Sequence, residues 1–317
     1  MRLGISSCLL GNKCRYDGSG ARDKYIVDTL SEYFDFAPYC PEATFLPTPR
    51  NTIRLVDSEN GVKAEIEAEN NRDVTEELIS NSKTLINTIP SANICGFILK
   101  SKSPSCGMER VKVYQNNNSK MHEKKGVGLF AEELKKQFPY LPIEEESRLN
   151  DPWLRENFLM QVYSYQDLFD FIKSNPSMKE LVTFHTSYKY IFMSKNFDIF
   201  IELGQIVANH DKKELNIVLE EYKELFLKGI SYKNSINKTY TVLEKTIGFF
   251  DFISKEQTKE LLDSLNEFKN KTIPLISIIK MLNIYIGIEN IEYLKNQKFF
   301  KPYPEELALR SYINAYK

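Results

Sequence analysis

The sequence predicts two domains of different class: an α/β N-terminal domain, Rossmann-like with a mainly parallel sheet, and then an all-α helical bundle. Three observations carry this. Over the first 150 or so residues, short β-prone apolar runs alternate with segments of helical spacing. After Arg148 the apolar spacing stays near 3.6 residues and no further strand pattern occurs. All five cysteines (Cys8, Cys14, Cys40, Cys95, Cys106) fall in roughly the first third of the 317 residues, so their chemistry belongs to the first domain. The expected boundaries are 1–150 for the α/β domain, 151–175 for a helical linker and 176–317 for the helical domain.

Residues 2–7 are a β-prone run ending at Cys8, and residues 9–18 form a polar, turn-rich loop. Residues 23–34 carry helical spacing, and the strand after them ends at Tyr39-Cys40, where Pro41 stops it. Pro47-Thr48-Pro49 is a stiff extended segment that holds Arg50. Asn60-Gly61 is a hairpin signal between 53–56 and 62–66. Asp73-Val74-Thr75-Glu76 has capping-box spacing, with Asp in place of Ser or Thr, and predicts a helix to about Thr88. Ile94–Leu99 predicts a buried strand that breaks into the turn Ser103-Pro104-Ser105-Cys106-Gly107. Residues 115–125, rich in Asn and Lys, are the most disorder-like stretch, with His122 solvated. A helix start near Gly126–Gly128 and an apolar run at 140–143 complete the domain. Asp151-Pro152 then opens the helical half, with helices expected over 163–172, 178–208, 212–227, 240–252, 256–268 and 274–288.

Composition narrows the function classes. Lys and Arg (42) balance Asp and Glu (43), so no global field favours nucleic acid or an anionic membrane. The apolar fraction of 42%, with 20 Phe and 18 Tyr, suffices for full cores. No secretory signal pattern opens the sequence, and the run 273–288 is broken by Lys280 and Asn283, so a soluble cytoplasmic protein is expected. In that compartment cysteines serve as ligands, nucleophiles or core residues rather than in disulfides.

Cys8, Cys40 and Cys106 each come after a strand-like run, where an open parallel sheet delivers side chains into one crevice. Their wide spacing differs from the paired knuckles of structural zinc. Soft thiolates suit a metal or an iron–sulfur cluster, and three ligands would leave one position open; scattered core thiols are the competing reading. Cys95, inside an apolar run, fits an inert buried thiol. Cys14 is a spare ligand or a labile thiol. Asp17 in Tyr-Asp-Gly suits a turn as well as a site. Glu42 suits a cap, and Arg15 and Arg50 suit structural ion pairs. His185 suits a satisfied core histidine.

The motifs Ser7-Cys8-Leu9-Leu10-Gly11 with Arg15-Tyr16-Asp17-Gly18, Cys40-Pro41-Glu42 with Pro49-Arg50, and Leu99-Lys100 with Ser103-Pro104-Ser105-Cys106-Gly107 resemble the DUF523 family. The characterised members of that family are thiouracil desulfidases. Phe184-His185 with Tyr188-Lys189, and Lys301-Pro302-Tyr303-Pro304-Glu305-Glu306-Leu307 with Leu309-Arg310, resemble the DUF1722 domain. The resemblance implies a [4Fe-4S] cluster held by Cys8, Cys40 and Cys106, with one open iron that accepts sulfur. It implies non-redox hydrolytic desulfuration of a thiolated pyrimidine, with the sulfur released as hydrosulfide. On this resemblance Glu42 activates water and Ser103 assists, while Arg15, Asp17, Arg50, Lys100 and Ser101 bind substrate or stabilise charge. One departure stands out: Ala43-Thr44-Phe45-Leu46 occupies a loop that is glycine-rich in many members. Two other readings stay open at this level: a metal- or redox-sensing module signalling through the helical domain, and thiolated tRNA as substrate. No membrane partner is expected.

Overall fold

The computed structural model describes residues 1–59, 61–115 and 121–308. The chain divides into two compact units, Met1–Phe158 and Leu159 onward, and the division falls inside one long helix.

The first unit holds two sheets. Strands β1 (Arg2–Ser6) and β2 (Asp35–Tyr39) are joined through α1 (Lys24–Asp28), a right-sized crossover for parallel pairing. Asp23 caps α1 by accepting from the Ile26 amide at 3.1 Å, and a 3₁₀ turn over Leu30–Glu32 completes the helical stretch. Next come β3 (Ile53–Ser58), β4 (Gly61–Ile66), β5 (Arg72–Asp73), α2 (Thr75–Ile86) and β6 (Ile94–Leu99). After them are β7 (Val111–Tyr114), β8 (His122–Gly126), α3 (Leu129–Gln137) and β9 (Ile143–Glu145). The first sheet has the order β2-β1-β6-β9 and is parallel throughout. The second, β5-β4-β3-β7-β8, is mixed, with only β3 and β7 parallel.

Parallel pairing requires apolar faces on both sides of a strand, and β6 is buried at every position. Gly4 sits opposite Phe97 in the β1/β6 register, and only a residue without Cβ leaves room for that ring. Phe97 also meets Tyr39 and Phe130, with ring centroids 5.2 and 5.6 Å apart. The second sheet has its own core of Ile53, Leu55, Ala64, Ile66, Val74, Leu78, Val111, Val113 and Leu129.

Of three details of the sequence expectations, one agrees with the structure and two differ. The hairpin strands 53–58 and 61–66 pair as expected, while Asn60 lies outside the described residues. Asp73 does not form a box with Glu76: its carboxylate accepts from the Thr75 amide and hydroxyl at 3.0 and 2.6 Å, and Thr75 is already the first helical residue. The Asn- and Lys-rich stretch contains β8, which pairs with β7, and His122 packs against Tyr114 at 5.3 Å; residues 116–120 lie outside the described residues. Cross-strand pairing with β7 supplies the order that local composition does not suggest.

The second unit is helical: the body of α4 (Pro152–Lys173), then α5 (Met178–Lys195), α6 (Phe197–Ala208), α7 (Leu215–Ser231) and α8 (Ile236–Ile247). After these come α9 (Lys255–Lys269), α10 (Leu275–Ile288) and α11 (Glu292–Lys295). The Asp151 carboxylate caps α4 through the Trp153 and Leu154 amides at 2.8 and 3.0 Å. The expected helix 178–208 is two helices, because Asn196 turns extended and caps α6 with its side chain. Phe184, Tyr188, Tyr222 and Phe226 form the aromatic core between α5 and α7. Tyr303 is buried and packs on Tyr163 at 6.3 Å, and Lys280 pairs with Glu305 at 2.7 Å. Leu309 and Arg310 of the same motif lie outside the described residues. No helix among the described residues is long and apolar enough to cross a membrane.

His185 is buried in this core, 3.4 Å from the Tyr222 hydroxyl. Burial, reinforced by the Lys189 ammonium, pushes its imidazole down to about 4 from 6.5. The unfolded chain therefore takes up a proton between pH 6.5 and 4 that the folded chain refuses. Stability is full above that window and falls as pH drops through it, by up to about 3 kcal/mol. His185→Phe should remove this part of the slope, which urea unfolding midpoints of both proteins between about pH 4 and pH 7 will check.

Candidate active site

The C-terminal ends of parallel strands lie along one edge of their sheet, so the residues just past β2, β1, β6 and β9 are gathered there. They are Cys40 after Tyr39, Ser7-Cys8 after Ser6, Lys100-Ser101 after Leu99 and Glu146 after Glu145. A cavity of about 350 Å³ opens at this edge. Its wall includes Cys8, Cys14, Cys40, Cys106, Glu42 and Lys100. Arg15, Arg50, Ser101 and Ser103 line it as well.

Each thiol is positioned by local backbone. Cys8 lies in a 3₁₀ turn closed by Gly11, whose φ of 93° is the left-handed conformation that glycine tolerates; the Gly11 amide donates to the Cys8 carbonyl at 3.0 Å. The Ala21 amide donates to the same carbonyl at 2.8 Å and folds the 11–21 loop back over the strand end. Cys106 is held by Ser103, whose hydroxyl oxygen accepts from the Ser105 and Cys106 amides at 3.2 and 3.1 Å. Helix α3 is docked on this turn: the Gly128 amide donates to the Gly107 carbonyl at 2.7 Å and the Phe130 amide to the Ser105 carbonyl at 2.9 Å. A Cβ on Gly128 would lie 2.4 Å from the Ser105 oxygen. Gly128→Ala should therefore cost about 2 kcal/mol or more, read as a lowered denaturation midpoint.

Cys14 joins the three thiols read from the motifs. Its carbonyl accepts from the Cys40 thiol at 3.8 Å and from Arg50 Nη2 at 3.0 Å. Its own thiol contacts those of Cys40 and Cys8: the Cys40 contact favours ionisation, but the Cys8 contact and burial outweigh it and leave its pKa raised. The contact with Cys14, then burial, pushes the Cys40 thiol up, and burial does the same to Cys106. Cys95 is buried away from the cavity and donates to the Arg2 carbonyl at 3.2 Å.

Glu42 is a firmly anchored carboxylate on the cavity wall. Its Oε1 accepts from the Ser105 hydroxyl at 2.7 Å, and its Oε2 from Arg50 Nη2 and Nε at 2.7 and 3.2 Å. The Arg50 side chain is only 4% exposed and also reaches the Thr48 hydroxyl at 3.1 Å, so it anchors Glu42 and the Cys14 loop together. Arg15 stacks over Tyr16 at 5.5 Å and donates to the Ser19 hydroxyl at 3.0 Å. The structure leaves Asp17 off the cavity wall: its carboxylate is turned into its own loop, where it accepts from the Ser19 amide and hydroxyl at 3.0 and 2.6 Å. Phe45 and Leu46, the bulky departure in the loop, pack against the core of the second sheet rather than lining the cavity.

Two anchoring roles are not legible in the motifs, although Ser105 itself stands in the Ser103–Gly107 motif. Ser105 is fully buried and holds Glu42. Glu146 accepts from the Ser101 amide and hydroxyl at 2.7 and 2.8 Å and from Lys100 Nζ at 2.5 Å. The one sequence signal for Glu146 is its position just past an apolar strand-like run, as with the cysteines.

Both halves of the chain are similar to known proteins. Residues 3–146 match the family model described as 2-thiouracil desulfurase, and residues 189–304 match that of DUF1722, a protein of unknown function. The chain is 34% identical over 109 residues to the uncharacterized protein YbbK of Bacillus subtilis (strain 168), covering 32% of this chain and 71% of that protein. It is 21% identical over 160 residues to the uncharacterized protein YbgA of Escherichia coli (strain K12), covering 49% of this chain and 93% of that protein. A solved structure of the [4Fe-4S]-dependent thiouracil desulfidase TudS is 25% identical, covers 47% of this chain and 92% of its own, and superposes with a TM-score of 0.38. The chain thus belongs to the 2-thiouracil desulfurase family through its α/β unit, with a DUF1722 domain after it.

Proposed function

We propose that the chain removes sulfur hydrolytically from a thiolated pyrimidine such as thiouracil, with a [4Fe-4S] cluster held by Cys8, Cys40 and Cys106. The observation that carries this reading is that three thiols, carried on the connections that follow β1, β2 and β6 of one parallel sheet, share one cavity with an anchored carboxylate, Glu42. The donor set fits an iron–sulfur group, for which thiolates are the usual ligands. Ligation must displace thiol protons, which the contact with Cys14 and then burial favour on Cys40 and burial favours on Cys106. When bound, the cluster supplies a Lewis-acidic open position for the thiocarbonyl sulfur.

The chain's own residues supply the rest. The overall exchange is C=S plus water to C=O plus hydrogen sulfide, with one C–O bond formed, the C–S bond broken and no net oxidation. Glu42 takes a proton from the attacking water, and Arg50 with Ser105 fixes the direction in which its free lone pairs point. Lys100, its charge shared with Glu146, offers a charge-assisted donor on the wall for the negative charge that develops on the attacked ring. Ser103 acts by holding the Cys106 turn, since its oxygen already accepts two amides.

The test is anaerobic reconstitution of the full chain, with iron and sulfide analysis, then assay of 2- and 4-thiouracil. Equal release of sulfide and uracil is the expected result. A loaded protein that releases sulfide from no thiolated base overturns the activity, and retention of full iron content by Cys8→Ser, Cys40→Ser and Cys106→Ser overturns the ligand set.

A further inference from the structure

We infer that Glu146 is a positioning residue that sets the hydrogen-bond polarity of one cavity wall, so that Lys100 and Ser101 together recognise an N–H beside a C=O, the amide edge of the pyrimidine. The identity of the ligand rests on the desulfurase reading above; the polarity of the wall does not.

Counting protons gives the polarity. A serine hydroxyl has one to give, and Ser101 gives it to Glu146 Oε1 at 2.8 Å while its amide donates to Oε2 at 2.7 Å. The Ser101 oxygen can then only accept. An ammonium has three protons, and Lys100 directs one at Glu146 and a second toward the Ser101 carbonyl and hydroxyl oxygens at 3.4 and 3.3 Å. One donor remains. Both residues line the cavity, whereas Glu146, buried at the end of β9, lies behind them. The wall therefore shows one donor next to one acceptor, and the complementary ligand edge shows one acceptor next to one donor. A neutral side chain in place of Glu146 frees the Ser101 hydroxyl to rotate and to donate as well as accept, so the polarity is lost while the shape stays.

The fourth parallel strand is what makes this arrangement possible. Leu99 pairs with Glu145 in the β6/β9 register, which sets Glu146 beside Lys100 and Ser101, the two residues just past β6. A carboxylate serving only to stabilise the fold would affect unfolding midpoints without changing which ligand edge the cavity prefers.

The test compares the reconstituted full chain with its Glu146→Gln and Ser101→Ala variants on 4-thiouracil, 1-methyl-4-thiouracil and 3-methyl-4-thiouracil, at matched iron content. The wild-type chain should prefer the unmethylated base to one of the two methylated bases by about tenfold or more in kcat/KM. Both variants should shrink that preference to about threefold or less, chiefly through KM. An unchanged preference in Glu146→Gln, or equal use of all three bases by the wild type, overturns the inference. Calorimetric binding of uracil, 1-methyluracil and 3-methyluracil to the same proteins reads the wall without turnover. If no thiolated base is turned over, the desulfurase reading fails, and the binding series still decides the wall: discrimination lost in Glu146→Gln supports it, and absent or unaltered discrimination overturns it.

Discussion

Glu42→Gln is expected to lower kcat/KM for thiouracil by about 10²- to 10⁴-fold while iron content stays at the wild-type level. Glutamine keeps the shape of the side chain; its one oxygen can stay on Arg50 while its amide turns to the Ser105 oxygen, so the loop keeps its contacts at some cost in stability. What it loses is the capacity to take a proton from water. The readout that separates this from a folding defect is the unfolding midpoint combined with iron and sulfide content. A variant that keeps its cluster and also keeps its rate removes Glu42 from the mechanism. The effect should lie in kcat more than in KM, because proton acceptance is needed in the transition state and not for binding.

Arg50→Met should destabilise the α/β unit by about 3 kcal/mol. The Arg50 and Glu42 side chains are 4% and 14% exposed, so little water is available to take over from either charge. Removing the guanidinium leaves the carboxylate half-partnered and also frees the Cys14 carbonyl, so one substitution loosens two of the loops that carry thiols. Arg50→Lys should rescue only part of this, since a single ammonium cannot span Nε and Nη2 contacts to one oxygen and a third contact to the Cys14 carbonyl. In the double variant with Glu42→Gln the losses should sum to more than the measured total, because both changes break the same pair. Urea denaturation of the wild type, both single variants and the double variant is the measurement, and strictly additive values would show that the pair is not coupled.

Much of the site is legible in the chain because its residues announce themselves locally. Cys8 and Cys40 come directly after short strand runs and Cys106 sits on the turn past a third, and parallel strands bring their ends to one edge. Hydrogen-bond partners are less legible. Ser103, a candidate for contact with substrate by its motif, is turned back onto the amides of its own turn. Asp17 closes a loop, and Arg50 is engaged with Glu42, Thr48 and Cys14.

By itself, then, the sequence determined the class of both halves, the strand-end positions of the thiols and the family motifs, because hydrophobic period and turn chemistry act over a few residues at a time. Only the tertiary structure decided the partition of the strands into two sheets, the entry of Cys14 into the cavity wall, and the anchoring roles of Ser105 and Glu146. Those facts depend on which strands become neighbours. Ser105 meets Glu42 across 63 residues of chain and Glu146 meets Ser101 across 45. Such pairs are chosen by packing on both faces of a sheet, a long-range selection that no local pattern encodes.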